Sequence, residues 1–120
     1  MKDNNVVAEK SYAFAIRIVN CYKYLYTKKN EDVLSKQLLD SGTSVGANVE
    51  EAIGGQSRKD FCAKMSIAYK EARESHFWLR VLRDTQFLDN ALAESLLADC
   101  TELLKLIGSI MKTTKQDENS

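Results

Sequence analysis

The sequence predicts an all-α protein, an antiparallel up-down four-helix bundle that forms a single domain over residues 1–120. The chain contains no proline and only five glycines, so few residues interrupt helices. Apolar residues recur at spacings of three and four along four separate stretches, the period of an amphipathic helix. The connections between these stretches are short, which is typical of helices that pack beside antiparallel neighbours.

The first predicted helix spans residues 6–28. Lys28 and Lys29 stand at its end, where basic side chains interact favourably with the helix dipole. Glu31 and Asp32 then suit the beginning of the next helix. The apolar stripe of the first helix is expected to consist of Tyr12, Ala15, Val19, Tyr22 and Tyr26.

The second predicted helix spans residues 32–53 and includes most of the glycine-containing stretch GTSVGANVEEAIGG. This stretch is not a phosphate-binding loop, because that motif requires a lysine directly after its last glycine and a strand before it. An apolar stripe instead continues through the glycines, made of Leu34, Leu38, Ser41, Val45, Val49 and Ala52. We therefore expect one uninterrupted helix, with Gly54 or Gly55 as a left-handed C-terminal cap.

Gly42 and Gly46 lie one turn apart inside this helix, where each costs roughly 1 kcal/mol relative to alanine. The close approach of another backbone would offset that cost. The alternative is a weak position that the fold tolerates. Together with Ile67 and Trp78 of the third helix, these glycines are the residues expected at a subunit interface, where tryptophan is enriched.

The third predicted helix spans residues 58–83 and begins with the capping box Ser57-Arg58-Lys59-Asp60. Its apolar stripe consists of Phe61, Met65, Ala68, Ala72, Ser75, Leu79 and Leu82. The fourth predicted helix spans residues 90–111, with a stripe of Leu92, Leu96, Leu103, Ile107 and Ile110. Residues 113–120 are expected to form a frayed polar tail.

Composition limits the classes of function. Seventeen basic and seventeen acidic side chains cancel, so bulk charge predicts neither nucleic-acid nor membrane binding. No apolar run approaches the roughly 18 residues that cross a bilayer, and the N-terminus lacks the pattern of a secretory signal. Cys21, Cys62 and Cys100 are isolated and odd in number, which indicates free thiols and a cytoplasmic protein.

The residues of a catalytic site are missing from the pattern. The chain has one histidine, His76, so neither a histidine-based triad nor the paired Glu-x-x-His motifs of a di-iron bundle can be built. We therefore expect no catalytic residue, no metal site, no cofactor and no enzymatic activity. Ser44, Asn48 and Glu51 form a polar strip along the second helix, which we interpret as structural, with Asn48 and Glu51 forming hydrogen bonds between helices.

Basic residues are distributed unevenly around the third helix. At 100° per residue, six of them fall within about 140° on one flank of the apolar stripe; they are Arg58, Lys59, Lys70, Arg73, Arg80 and Arg83. Tyr69, His76 and Phe77 lie in the same arc, whereas the acidic residues lie on the opposite flank beside Ile67 and Trp78. Basic side chains interleaved with aromatic ones can hold phosphates and stack bases. The alternative is that each flank pairs with a neighbouring subunit or stays solvated.

The stretches GTSVGANVEEA and QSRKDFCAKMSIAYKEARESHFWLRVL resemble the four-helix-bundle family encoded in intervening sequences of bacterial large-subunit ribosomal RNA genes, whose members are often labelled ribosomal proteins. Ser44, Asn48 and Glu51 match its Ser-x-x-x-Asn-x-x-Glu signature, and Glu74 matches its helix-three glutamate. The family is similar to the accessory variability determinant of diversity-generating retroelements. Ala52 and the pair Lys70-Glu71 stand where many members have Gly and Gly-Ser, which indicates a variant branch.

The resemblance implies a homopentameric ring and, for the retroelement branch, binding to RNA or DNA and to a reverse transcriptase. The opposite charges on the two flanks of the third helix independently favour a head-to-tail contact over a two-fold one. We therefore expect a non-enzymatic oligomeric scaffold, without a membrane partner, that binds nucleic acid or a nucleoprotein through the basic face of the third helix. The alternative is a protein-interaction or purely structural ring with no nucleic-acid partner.

Overall fold

The structure is a computed structural model that describes the backbone of residues 2–119 and the side chains of residues 3–115. The described chain forms the helices α1 (Lys2–Lys29), α2 (Leu34–Ile53), α3 (Arg58–Asp84) and α4 (Asn90–Asn119). The predicted all-α four-helix bundle is thereby confirmed. Its long axis extends over 51 Å and its two short axes over 21 and 20 Å.

Each helix occupies one corner of the bundle. α1 packs against α2 and α4, and α3 packs against the same two helices. Within the described residues α1 and α3 do not pack against each other, so they stand at diagonally opposite corners. None of these helices carries a stretch long and apolar enough to cross a bilayer, as far as the described residues extend.

A short connection caps the beginning of α2. Asn30 ends α1 with a positive φ of 55°. The buried carboxylate of Glu31 then accepts hydrogen bonds from three backbone N–H groups, those of Val33 at 3.1 Å, Leu34 at 2.7 Å and Ser35 at 2.8 Å. Burial alone would raise the pKa of Glu31, but these hydrogen bonds outweigh it and leave the pKa below its usual value. Glu31, one of the acidic residues that the sequence places at the beginning of the second helix, therefore caps α2 through its side chain.

The end of α2 differs from the expectation. Gly54 has a right-handed φ of −80°, and its N–H bonds to the carbonyl of Glu50 as in a continuing helix. No described glycine has a positive φ, so the predicted left-handed glycine cap is wrong. The turn is completed by the right-handed Gly54 and the extended Ser57. Ser57 then caps the beginning of α3, and its hydroxyl oxygen accepts from the Asp60 N–H at 3.0 Å.

α4 continues beyond its predicted end. The helix runs to Asn119, so the frayed tail expected from residue 113 is wrong over the described residues, while Ser120 lies outside them. No glycine or proline follows Met111 to stop the helix. The Thr114 hydroxyl also donates to the Ile110 carbonyl at 2.8 Å, a bond that continues the last turns of α4.

The apolar stripes of α2, α3 and α4 form the core as predicted. The stripe predicted for α1 is wrong, because Tyr12 and Tyr26 are 66% and 53% exposed. The buried side of α1 lies about 100° further around the helix and consists of Val7, Ser11, Phe14, Ile18, Cys21 and Leu25. α1 therefore carries two apolar stripes, of which the chain covers only one.

Gly42 and Gly46 are buried where α2 meets α1. A Cβ atom on Gly42 would lie 2.7 Å from Ile18 Cγ1, and one on Gly46 would lie 3.1 Å from the Ser11 carbonyl oxygen. Both positions therefore need glycine to allow a close approach of helices, as expected. This approach is made inside the chain, between α1 and α2, and so gives no reason to place Gly42 and Gly46 at a subunit interface.

The three cysteines are free thiols. Burial raises the pKa of Cys21 to about 11 and that of Cys100 to about 12. Cys62 is half-buried on α3. A thiol buried in apolar surroundings stays protonated, so Cys21 and Cys100 are part of the core.

Candidate nucleic-acid interface

Part of the predicted basic face of α3 lines the groove between α3 and α4. Arg73, His76 and Arg80 line it from α3, at spacings of three and four residues that place them on one side of the helix. Lys105 lines it from α4. The section that contains His76, Arg80 and Lys105 has a volume of about 580 Å³. The groove therefore presents cations from both walls, and Glu94 and Glu102 of α4 line the same section.

The cations just named have no carboxylate partner among the described side chains. None of Arg73, Arg80 and Lys105 forms a salt bridge there. Burial lowers the pKa of His76, and the positive charges of Arg80, Arg73 and Arg83 lower it further. The arginines contribute because a neighbouring cation disfavours the protonated form of the imidazole.

Arg80 is held in place by an aromatic side chain. Its guanidinium carbon lies 5.9 Å from the centre of the Phe77 ring, within the range of a cation–π contact. Arg80 Nε also donates to the His76 carbonyl at 3.4 Å, which leaves the terminal nitrogens of the guanidinium for other acceptors. Phe77 itself is 47% exposed and packs edge-on against Trp78 with ring centres 5.0 Å apart. An exposed ring beside a fixed cation is suited to a base and its phosphate.

Arg83 differs from the expectation of a free cation. Its Nε lies 2.8 Å from Asp84 Oδ1, and its Nη1 lies 2.8 Å from Glu94 Oε1 on α4. These contacts occupy the guanidinium within the chain. Arg83 therefore borders the groove without offering the free donors that the sequence interpretation assigned to it.

The other predicted basic residues lie outside the groove. Arg58 lines a cavity of about 360 Å³ at the end of the bundle, together with Asp3 and Thr113. Lys59 and Lys70 are exposed, and their wheel positions place them on the outward side of α3. The six residues thus do not form one site. Lys105 lies on α4 and is therefore absent from any pattern within α3, and the antiparallel order of α3 and α4 is the signal that could have found it.

The family signature lies on the other flank of α3, where α3 meets α2. Glu51 Oε1 lies 3.1 Å from Lys64 Nζ, a salt bridge that joins α2 to α3 in place of the predicted hydrogen bond. Asn48 instead donates to the Ser44 carbonyl at 2.8 Å inside α2, so its predicted bond between helices is wrong. Trp78 Nε1 donates to the Glu74 carboxylate at 3.5 Å along α3.

This flank is acidic and partly apolar. Burial raises the pKa of Glu71, and the negative charges of Glu74 and Asp40 raise it further. None of these three carboxylates has a salt-bridge partner among the described side chains. Ile67 is 40% exposed and Trp78 is half-buried beside them. We call Ile67, Glu71, Glu74 and Trp78 the acidic flank of α3. Nowhere in the described chain do three or more His, Cys, Asp or Glu side chains group to hold a metal ion.

Comparisons with known proteins agree with this architecture. A family model described as 23S rRNA-intervening sequence protein matches residues 3–109. The chain is also similar to the crystal structure of a protein with unknown function from the S23 ribosomal protein family of Bacteroides thetaiotaomicron VPI-5482, with 50% identity and a TM-score of 0.90. That match covers 92% of this chain and 98% of the other. No match was found among curated proteins. The resemblance carried by α2 and α3 is thereby confirmed, and the chain belongs to the 23S rRNA-intervening sequence protein family.

Proposed function

We propose that the protein is a non-enzymatic, oligomeric scaffold that binds nucleic acid along the groove between α3 and α4. The observation that carries this proposal is the pair of guanidinium groups of Arg73 and Arg80, which line one section of the groove and form no salt bridge within the described side chains. Arg80 also lines the adjoining section together with Lys105 of α4. Such cations bind backbone phosphates without reading sequence. The acidic residues near the groove are paired within the chain, since Asp84 and Glu94 form salt bridges with Arg83 and Glu102 forms one with Lys10.

The spacing of the two arginines suits a nucleic-acid strand. Arg73 and Arg80 are two helical turns apart, a rise of about 10 Å. That distance spans about three nucleotides at the rise of one strand. Phe77 exposes its ring between the two arginines in sequence, and base stacking on an aromatic ring requires an unpaired base. The groove is therefore better suited to single-stranded RNA or DNA than to a duplex.

Fluorescence anisotropy with labelled single-stranded RNA and DNA, at a series of salt concentrations, tests this function. We expect binding that weakens steeply with salt. For the double variant Arg73→Ala/Arg80→Ala, the slope of log K against log salt becomes shallower by about 1.4, since each lost phosphate contact removes about 0.7 on a single strand. The matched control is Lys28→Ala/Lys29→Ala, which removes the same charge from the exposed end of α1 and leaves the slope unchanged.

Two results would overturn the nucleic-acid function. One is a parent protein that binds neither RNA nor DNA at low salt. The other is a folded Arg73→Ala/Arg80→Ala variant with the affinity and the salt slope of the parent. Light scattering tests the oligomeric part separately, and a mass near 13.6 kDa at micromolar concentration would contradict it.

A second candidate function is a protein-interaction or purely structural ring with no nucleic-acid partner. It is favoured by the exposed apolar side chains of Tyr12, Ile16 and Ile67, which lie away from the basic groove. Exposed apolar patches mark sites of protein–protein interaction. This second function would be favoured by a parent protein that assembles in light scattering but binds no oligonucleotide in the anisotropy titration.

A further inference from the structure

A cavity lies at the end of the bundle where α1 and α3 begin and α2 ends. Its volume is about 360 Å³, near the lower limit of the roughly 300–1,000 Å³ that small-molecule sites enclose. Every helix contributes to its lining, with Asn4 from α1, Ala52 from α2, Phe61 from α3 and Thr113 from α4. The continuation of α4 beyond its predicted end therefore supplies one wall of the cavity.

The cavity is separate from the groove between α3 and α4. Among the described residues, none lines both the cavity and the groove. Arg58 of the cavity and Arg73 of the groove are 15 residues apart on α3. That spacing corresponds to a rise of about 22 Å along the helix. A ligand in the cavity would therefore leave the groove open.

The lining of the cavity is apolar where it is buried and charged where it is exposed. Ala52 and Ile110 are 1% and 8% exposed, and Phe61 is half-buried. Asp3 and Arg58 are exposed. Burying apolar area of a ligand against the interior is favourable, whereas a polar group placed there would lose its hydration. A suitable ligand therefore has an apolar part that faces the core and charged groups that face the opening.

The two charged side chains of the lining have opposite signs. Neither Asp3 nor Arg58 forms a salt bridge among the described side chains, so they do not neutralise each other. A guanidinium group can bind a carboxylate through two parallel hydrogen bonds. The carboxylate of Asp3 can accept hydrogen bonds from an ammonium group. A ligand with one charge of each sign is therefore better matched to this cavity than a simple anion or a simple cation.

We propose that this cavity binds a free α-amino acid with an apolar side chain. Arg58 binds the carboxylate of the ligand, Asp3 binds its ammonium group, and Phe61 and Ile110 contact its side chain. An aromatic side chain fits best, because it can pack against the ring of Phe61. The site goes beyond the proposed nucleic-acid function and gives Arg58 a role outside the groove.

A titration of the full chain, labelled with ¹⁵N, with L-phenylalanine tests this site. We expect saturable shifts of the backbone amides around the cavity, with a dissociation constant at or below about 1 mM. Three control compounds each lack one feature of the ligand. Phenethylamine lacks the carboxylate, 3-phenylpropionate lacks the ammonium group, and glycine lacks the apolar side chain. Each is expected to bind at least about tenfold more weakly, because one part of the site is left without its partner.

Two substitutions assign the charged contacts. Arg58→Gln is expected to weaken the binding of L-phenylalanine and of 3-phenylpropionate about tenfold, and not that of phenethylamine. Asp3→Asn is expected to weaken the binding of L-phenylalanine and of phenethylamine by a similar factor, and not that of 3-phenylpropionate. The matched control is Lys59→Gln, which removes a positive charge next to Arg58 at an exposed position outside the lining and leaves all affinities unchanged. All three positions are exposed, so each variant should keep the melting temperature of the parent.

Three results would overturn the amino-acid site. They are the absence of a saturable shift at millimolar L-phenylalanine, equal affinities for L-phenylalanine and 3-phenylpropionate, and a folded Arg58→Gln variant with parental affinity. The nucleic-acid function fails in a different experiment. A parent that binds L-phenylalanine in this pattern but no oligonucleotide overturns the nucleic-acid function alone, and a parent with the opposite behaviour overturns the amino-acid site alone.

Discussion

The hydroxyl groups of Ser41 on α2 and Ser75 on α3 lie 2.9 Å apart in the core, where both residues are fully buried. Ser41 Oγ also lies 3.3 Å from the Leu38 carbonyl, and Ser75 Oγ lies 2.9 Å from the Glu71 carbonyl. Two hydroxyl protons serve these three contacts, and every arrangement leaves both oxygens with a partner. The pair therefore joins two helices without leaving an unpaired polar group.

Removing the hydroxyl groups of Ser41 and Ser75, singly and together, should show that their contributions to stability are coupled. Ser41→Ala and Ser75→Ala are each expected to lower the free energy of unfolding by about 1 kcal/mol, measured by urea denaturation. The double variant should lose less than the sum, because the shared hydrogen bond is removed only once. Ser66→Ala, at an exposed position of α3, is the control and should be neutral. Single effects that add within about 0.3 kcal/mol would contradict the coupling.

Gly42→Ala should destabilise the bundle although alanine is the better helix former. The gain in helix propensity is about 1 kcal/mol, but the new Cβ would lie 2.7 Å from the β-branched Ile18 in the core. Overpacking of this kind costs about 1–3 kcal/mol, so we expect a net loss of up to about 2 kcal/mol. Gly54→Ala is the matched control. Its Cβ meets only the Glu50 carbonyl at 3.5 Å, and a gain or no change is expected there.

Glu31→Gln should weaken the cap of α2 and change the pH dependence of stability. The folded state holds the pKa of Glu31 below its ordinary value of 4.5, so its contribution is present above that pH and is lost as the pH falls through the folded pKa. The variant should be less stable near neutral pH by about 1 kcal/mol. Thermal unfolding between neutral and acidic pH measures this, and parallel curves for parent and variant would contradict it.

His76 should respond to a bound polyanion. Burial and the neighbouring Arg80, Arg73 and Arg83 hold its pKa below the ordinary 6.5, which keeps the ring neutral at neutral pH. Phosphates in the groove would offset those positive charges and raise the pKa. Because the chain has one histidine, an NMR titration reads it without ambiguity. We expect an upward shift with a single-stranded oligonucleotide at low salt and none at high salt. A constant pKa under conditions of measured binding would place the nucleic acid elsewhere.

The fold could be predicted because three helices carry a single apolar stripe each. α1 carries two, and the spacing of residues shows that a stripe exists without showing which one the chain covers. Tyr12 and Tyr26 are bulky and periodic, yet Phe14 and Ile18 form the core. The same holds for Gly42. The sequence predicts a close contact there, but not that the contacting helix is α1 of the same chain.

The candidate site was predictable only as far as it lies on one helix. The wheel placed Arg73 and Arg80 on one flank of α3, and the structure brings them together at the groove. The contribution of Lys105 and the neutralisation of Arg83 by Glu94 depend on the relative heights of α3 and α4. Those heights follow from the packing of side chains between helices, which no pattern within one helix contains.

The contact between α1 and α4, which we call the seam, has a consequence for the kinetics of folding and unfolding. Arg17 pairs with Asp99 at 2.7 Å and Lys10 with Glu102 at 3.0 Å, which joins the first described helix to the last. The remaining helix pairs are consecutive in sequence and can form as local hairpins. Closing the seam requires a far longer loop and so comes late in folding. Arg17→Ala should therefore speed unfolding and leave the folding rate nearly unchanged, and the bundle should open first along α1 and α4.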